Sequence, residues 1–249
     1  MTTDHTGWRD VPAELSPADR YQRFALHMQT AKVQITYVII ALCVAAFAAE
    51  MALGGADDGR VLFSLGASMP KLYPRELWRL GAAMFLHGGL AHIALNMYSL
   101  YAVGPFVEKA FGRAAFAGLY AASGLAGFAL SARLGGQMSV GASGAIFGCF
   151  AAMPAAFWRL RSEVPRQLFG RVMQSAALTI GINVAYGLSN PRIDNWGHLG
   201  GMLCGAALGL VFPIEARGDR MPGAMKIVVL IPAMATVVAL LLAAMRVHT

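Results

Sequence analysis

Four residues in this 249-residue chain have the types and spacing for acyl-transfer chemistry. His92 and Asn96 are four apart, so on a helix they lie about 40° apart on one face. One polar face then points both groups at a shared interior site, or simply ties one helix to another. Ser143 lies in Gly141-Ala142-Ser143-Gly144-Ala145, at the start of an apolar run. Unpaired N–H groups and the positive dipole end converge at a helix start. That setting suits an alkoxide nucleophile and the oxyanion it generates, and it equally suits a plain N-cap. The motif is not the G-x-S-x-G elbow of soluble hydrolases, because glycine follows the serine directly. His198 lies in Asn195-Trp196-Gly197-His198-Leu199-Gly200-Gly201, one turn into another apolar run. A histidine there needs a partner, which is either Ser143, as its general base, or another helix of the bundle. His87 is five residues before His92, on a different face, and reads as structural.

These side chains need elements to hold them, and the composition says which kind. The chain is 57% hydrophobic and 13% charged, against about 25% charged in soluble domains. The apolar residues cluster into runs long enough to span a bilayer. Seven helices are expected, near Val33–Leu53, Gly81–Val107, Ala114–Ala132, Ser143–Leu160, Phe169–Leu188, Trp196–Ile214 and Met225–Met245. No alternating pattern favours a β-barrel. Gly197, Gly201, Gly205 and Gly209 recur every four residues and form a smooth stripe. Gly144 and Gly148 offer a matching surface, which predicts close packing of the fourth and sixth spans.

With the N-terminus placed in the cytoplasm, 13 of the 20 basic residues fall on the cytoplasmic side. That bias fixes the orientation and leaves the C-terminus outside. The net charge of +7 comes from these loop residues. They form no stripe interleaved with aromatics, so nucleic acid is excluded as a partner. The segment before the first span carries Asp4, Asp10, Glu14 and Asp19. It is too long and acidic for a signal peptide, and the first span reads as a retained anchor. Ser16 is a cap for a short helix starting at Pro17. The loop Gly54–Leu80 scatters apolar residues as an interfacial segment does, with Trp78 as an aromatic anchor and Arg79 as a hydrogen-bonding one. Glu108, after the second span, is a partner for a base or for loop backbone. Cys43, Cys149 and Cys204 lie inside apolar runs and read as small packing residues. No H-E-x-x-H or comparable ligand set points to a metal, and no cofactor is expected. Glu50 and Glu108 are the acids near spans, and neither lies mid-helix, which argues against a carboxylate-pair protease.

Taken together, Trp78-Arg79, His92-Ile93-Ala94-Leu95-Asn96, Glu108, Gly112, Gly141-Ala142-Ser143-Gly144 and Gly197-His198-Leu199-Gly200-Gly201 resemble the rhomboid family of intramembrane serine proteases, over roughly residues 66–212. The resemblance implies an all-α polytopic membrane protein, a six-helix core over 33–214. A short cytoplasmic segment, 1–32, would precede it, and a linker with a seventh span, 215–249, would follow. It implies Ser143 as nucleophile and His198 as its base, a dyad without an orienting acid. His92, Asn96 and the Ser143 N–H would form the oxyanion hole. The first loop would lie in the outer leaflet and the fifth span would act as a lateral gate. Some rhomboids carry a hydroxyl-bearing aromatic one turn after the serine; here Phe147 keeps the stacking and loses the hydroxyl. The implied partners are single-span membrane proteins and lipid. The alanine- and glycine-rich composition and the lack of organelle transit features point to a bacterial plasma membrane. The competing expectations are a non-catalytic rhomboid-like protein that binds membrane clients, and a transporter using the polar face of the second span.

Overall fold

Among the described residues, the side chains of Ser16, Asp58 and Asp194 cap helix starts. The structure, a computed structural model, describes residues 16–246. The first helix, α1 (Pro17–Thr30), is capped as expected: the Asp19 N–H donates to Ser16 Oγ at 3.2 Å. Phe24 carries α1 into the core, where it meets Phe157 edge-on at 6.0 Å.

The start of α2 (Ile35–Ala52) needs partners for its first N–H groups, and a carboxylate from elsewhere supplies them. Glu108 is 1% exposed and accepts from the N–H groups of Gln34, Ile35 and Thr36 and from the Thr36 hydroxyl, at 2.8–2.9 Å. The expectation for Glu108 as a partner of loop backbone is met.

The long first loop is folded. It holds α3 (Gly59–Leu65), a single 3-10 turn at Pro70–Leu72 and α4 (Trp78–Ala82). Arg79 organises it, as the sequence predicts. Its guanidinium bonds Glu76 at 2.6 Å and the Phe63 carbonyl at 2.7 Å, and it lies over the Phe63 and Trp78 rings.

One expected boundary fails here. The second span begins at Leu90, not Gly81: α5 is Leu90–Phe111. Residues 81–89 are apolar and mostly buried, so hydropathy reads them as helix, but α4 stops at Ala82 and Gly89 takes φ 105°. Only glycine adopts that conformation without strain. His87 lies in this turn and is structural, as expected. Its N–H donates to buried Glu50 at 3.0 Å and its Nδ1 donates to the Phe85 carbonyl at 3.1 Å.

The remaining helices are α6 (Arg113–Leu134), α7 (Ser143–Arg159), α8 (Arg166–Ser189), α9 (Asn195–Val211) and α10 (Gly223–Arg246). Each expected span thus overlaps a helix. By length and composition, four helical segments among the described residues can cross a membrane: 18–52, Leu90–Phe111, Arg113–Leu134 and Asn195–Arg217. α7 has 17 residues, and α8 is diluted by Gln174 and Asn183, so neither is among the four. α10 packs on α6 and α4. The three cysteines are free, as read.

At the centre of the bundle α6, α7 and α9 pack against one another, with α9 against both of the others. A methyl group on Gly201 would overlap the Gly144 carbonyl, and one on Gly205 would overlap Gly148. On Gly209 it would come within 2.6 Å of the Ala152 carbonyl. The predicted pairing of the two glycine stripes is therefore present. Beyond the prediction, α6 joins it: a methyl on Gly127 would meet the Gly197 carbonyl at 2.5 Å. Lipid supplies no hydrophobic drive for helix pairing, so close backbone approach is what holds such helices together.

Candidate active site

The glycine seam brings the N-terminal ends of α7 and α9 side by side. Ser143 is the first residue of α7, and His198 lies one turn into α9. Their side chains meet: Ser143 Oγ and His198 Nε2 are 2.9 Å apart. With the ring neutral and its proton on Nδ1, the serine hydroxyl donates to Nε2. Phe147, one turn after Ser143, stacks on the His198 ring at 4.2 Å with 26° between planes. The ring is thus held by a face contact on one side and by a hydrogen bond at its edge.

Gly141, two residues before the nucleophile position, has φ 125°. A side chain there would come within 2.8 Å of Cε1 and Nε2 of His92. The His92 ring therefore lies against bare backbone beside Ser143. The Gly88 N–H donates to His92 Nδ1 at 3.2 Å. In a neutral ring that leaves the proton on Nε2, the nitrogen facing Gly141. The edge-on His87 ring, 5.3 Å away, backs it from behind.

Asn96 is one turn along the same face of α5 and 6% exposed. Its amide donates to the His92 carbonyl at 2.9 Å, which engages one of its two hydrogens. The structure thus joins Ser143 to His198 and sets His92 beside them, while Asn96 is bonded to its own helix.

One residue at this site escapes the sequence reading. Asp194, the N-cap of α9, lines the same small cavity as Ser143, Gly141 and His198. The acids near the spans are therefore not limited to Glu50 and Glu108. Asp194 is absent from the reading because it lies in the loop, one residue outside the apolar run. Its signal is the ordinary one for a helix start, Asp before an apolar stretch. Among the described residues, no group of three or more His, Cys, Asp or Glu is placed to hold a metal ion.

Residues 74–214 match the family described as Rhomboid domain. The chain is 36% identical over 208 residues to Rhomboid protease GluP of Bacillus subtilis (strain 168), covering 81% of this chain and 40% of that protein. It is 38% identical over 163 residues to RHOMBOID-like protein 5 of Arabidopsis thaliana, covering 63% and 51%. It is 32% identical over 161 residues to Rhomboid-like protease 1 of Toxoplasma gondii, covering 62% and 54%. The chain spans about two fifths to one half of the length of these relatives. With more than half of its residues inside the matched domain and an all-helical, membrane-spanning architecture, the chain belongs to the rhomboid family.

Proposed function

We propose that this protein is an intramembrane serine endopeptidase that cuts transmembrane segments of membrane proteins with a Ser143–His198 dyad. The 2.9 Å contact between Ser143 Oγ and His198 Nε2, at two abutting helix N-termini, carries the reading. Ser143 attacks the scissile carbonyl while His198 takes its proton. The tetrahedral intermediate collapses as His198 returns that proton to the leaving amine. Water, activated by the same histidine, then hydrolyses the acyl-enzyme and frees Ser143.

The negative charge of the intermediate develops on the carbonyl oxygen. The Ser143 N–H, His92 Nε2–H and the second amide hydrogen of Asn96 are its donors. The Gly88 bond to His92 Nδ1 supports that assignment, because it leaves the proton on the nitrogen beside the nucleophile. No cofactor takes part. Phe147 holds the imidazole face through both proton transfers, and the missing hydroxyl leaves this stack intact.

The substrates are single-span proteins that enter from the lipid past α8, which acts as the lateral gate. A helical peptide bond is shielded by its own hydrogen bonds, so the substrate unwinds locally before cleavage. The six-span core covers 33–214, preceded by a cytoplasmic segment, 1–32, and followed by a linker and seventh span, 215–249. The protein resides in a bacterial plasma membrane with its N-terminus cytoplasmic and its C-terminus outside.

The test is cleavage of single-span reporters by the full chain in proteoliposomes, with products identified by mass spectrometry. Ser143→Ala and His198→Ala abolish cleavage while insertion and melting behaviour stay parental. A Ser143→Ala variant that cleaves as fast as the parent overturns the mechanism.

A further inference from the structure

The glycine contacts that let α7 and α9 meet do not set every coordinate: Arg159 ties the far end of the pair to the Gly209 and Phe212 carbonyls, at 3.2 and 2.6 Å, and the catalytic end needs a tie of its own. Bare backbone fixes how near two helices come, but it offers no side chain that interlocks against sliding along the axis. The Ser143–His198 separation depends on that slide, and a misplacement of about 1 Å is costly for proton transfer.

At the catalytic end, side chains four residues upstream set it. Ser139 is four residues before Ser143, and Asp194 is four residues before His198. The Ser139 hydroxyl donates to Asp194 Oδ2 at 2.6 Å. Asp194 Oδ1 accepts from the Gly197 N–H at 2.8 Å, and the Asp194 carbonyl accepts from the His198 N–H at 3.1 Å. Ser139 is itself anchored. It exchanges two backbone hydrogen bonds with Ser68 of the first loop, at 2.9 and 3.0 Å. Two residues on, the Gly141 N–H donates to the Ala83 carbonyl at 2.8 Å. The reactive pair is thus preceded, four residues earlier in each segment, by a second hydrogen-bonded pair.

We propose that Asp194 is a positioning residue: through Ser139 it locks the axial register of the base-bearing helix against the segment that leads into the nucleophile. The proposal rests on the Ser143–His198 protease reading. The bond is short, and a hydroxyl donating to a carboxylate oxygen makes one of the stronger kinds of hydrogen bond. Asp194 touches no reacting atom; it acts by keeping the Ser–His distance. An asparagine can keep the arrangement in weaker form, its oxygen accepting from Gly197 and its amide donating to Ser139.

The test uses the full chain in proteoliposomes with a single-span reporter, measuring kcat and KM separately. Melting in detergent and labelling by a fluorophosphonate probe are followed alongside. Asp194→Ala and Ser139→Ala each lower kcat about 10- to 100-fold, the worth of a hydrogen bond to a charged group. KM stays within about 2-fold, because ground-state binding is untouched. The double variant is no slower than Asp194→Ala alone, and Asp194→Asn is faster than Asp194→Ala. Ser139→Ala keeps the helix cap, so it decides the matter even if Asp194→Ala fails to fold. A Ser139→Ala protein with parental kcat overturns the proposal, as do losses that multiply in the double variant. A parent that neither cleaves nor labels, or a Ser143→Ala variant that cleaves, overturns the protease reading itself and this proposal with it.

Discussion

The seam between α7 and α9 and the flank formed by α8 obey different physics within one bundle. At the seam, Gly144, Gly148, Gly201, Gly205 and Gly209 bring backbone against backbone, and Gly197, Gly201, Gly205 and Gly209 are buried. Along α8, Gly187 is the buried residue among those described, and Leu178, Ile182, Tyr186 and Leu188 are 57–76% exposed. α8 is fastened near its ends. Leu168, Phe169, Val172 and Met173 pack on the core, and the Asn195 amide donates to the Gly187 carbonyl at 2.9 Å. Its middle faces outward. In lipid an outward apolar side chain is as comfortable as an inward one, so burial of Leu or Ile does not pull helices together. Close backbone packing marks the seam, and its absence marks the middle of α8.

The first way to break the comparison is Gly201→Ala, which carries the largest expected effect. The added methyl overlaps the backbone carbonyl of Gly144, and a backbone atom cannot rotate away. The seam must open, at a cost of about 4 kcal/mol or more, and His198 leaves Ser143. Reversible unfolding in mixed detergent measures the loss, and reporter cleavage falls with it. The same change at Gly181 of α8, which meets nothing, leaves both readouts parental.

Glu108→Ala comes next. Four donors at the start of α2 lose their acceptor inside the protein, costing about 3 kcal/mol. Glu108→Gln keeps the acceptor oxygen but loses the charge that favours a helix N-terminus, so it falls between parent and Ala. Unfolding free energies of the three proteins give the order. If Glu108→Ala is as stable as the parent, rigidity here comes from the glycine seam alone.

Phe147→Ala is smaller and local. It removes the stack on His198 at the seam's upper end. An aromatic pair of this kind is worth about 1 kcal/mol beyond its buried area. Cleavage slows by roughly 3- to 10-fold, with KM unchanged, because the imidazole loses its orientation and not its partner. The kcat and KM of the purified variant check it.

Much of this contrast is legible before any coordinates, and the reasons are physical. The four-residue glycine period states which helices touch, since only glycine permits that approach. A histidine in an apolar helix states that a partner exists, and Ser143 at similar depth is the available one. Glu108 and Arg79 announce themselves because charges next to spans must be satisfied. The start of α5 is not legible: residues 81–89 are as apolar as a span, and only the backbone turn at Gly89 separates them from one. Asp194 is hidden because its importance comes from Ser139, 55 residues away, and no local pattern encodes that pairing. The part played by α6 in the seam rests on Ser123 and Gly127, four residues apart, and with serine at one of the two positions no glycine repeat marks it.

The smallest effect belongs to α8, and it sharpens the comparison most. Leu178 is 63% exposed in the middle of the helix. Leu178→Ala replaces lipid contact with lipid contact, so unfolding changes by less than about 0.5 kcal/mol. Its effect on cleavage goes the other way from every seam variant. A slimmer middle on a helix held only at its ends opens more readily, and a transmembrane substrate passes it faster, by a factor of about 2 to 3 on the scale of a few tenths of a kcal/mol. A small peptide ester that reaches Ser143 from water gains nothing. Initial rates with the membrane reporter and the ester, compared on one preparation, separate the two routes. Equal acceleration of both substrates removes α8 as the gate, and a large loss of stability removes the distinction between seam and flank.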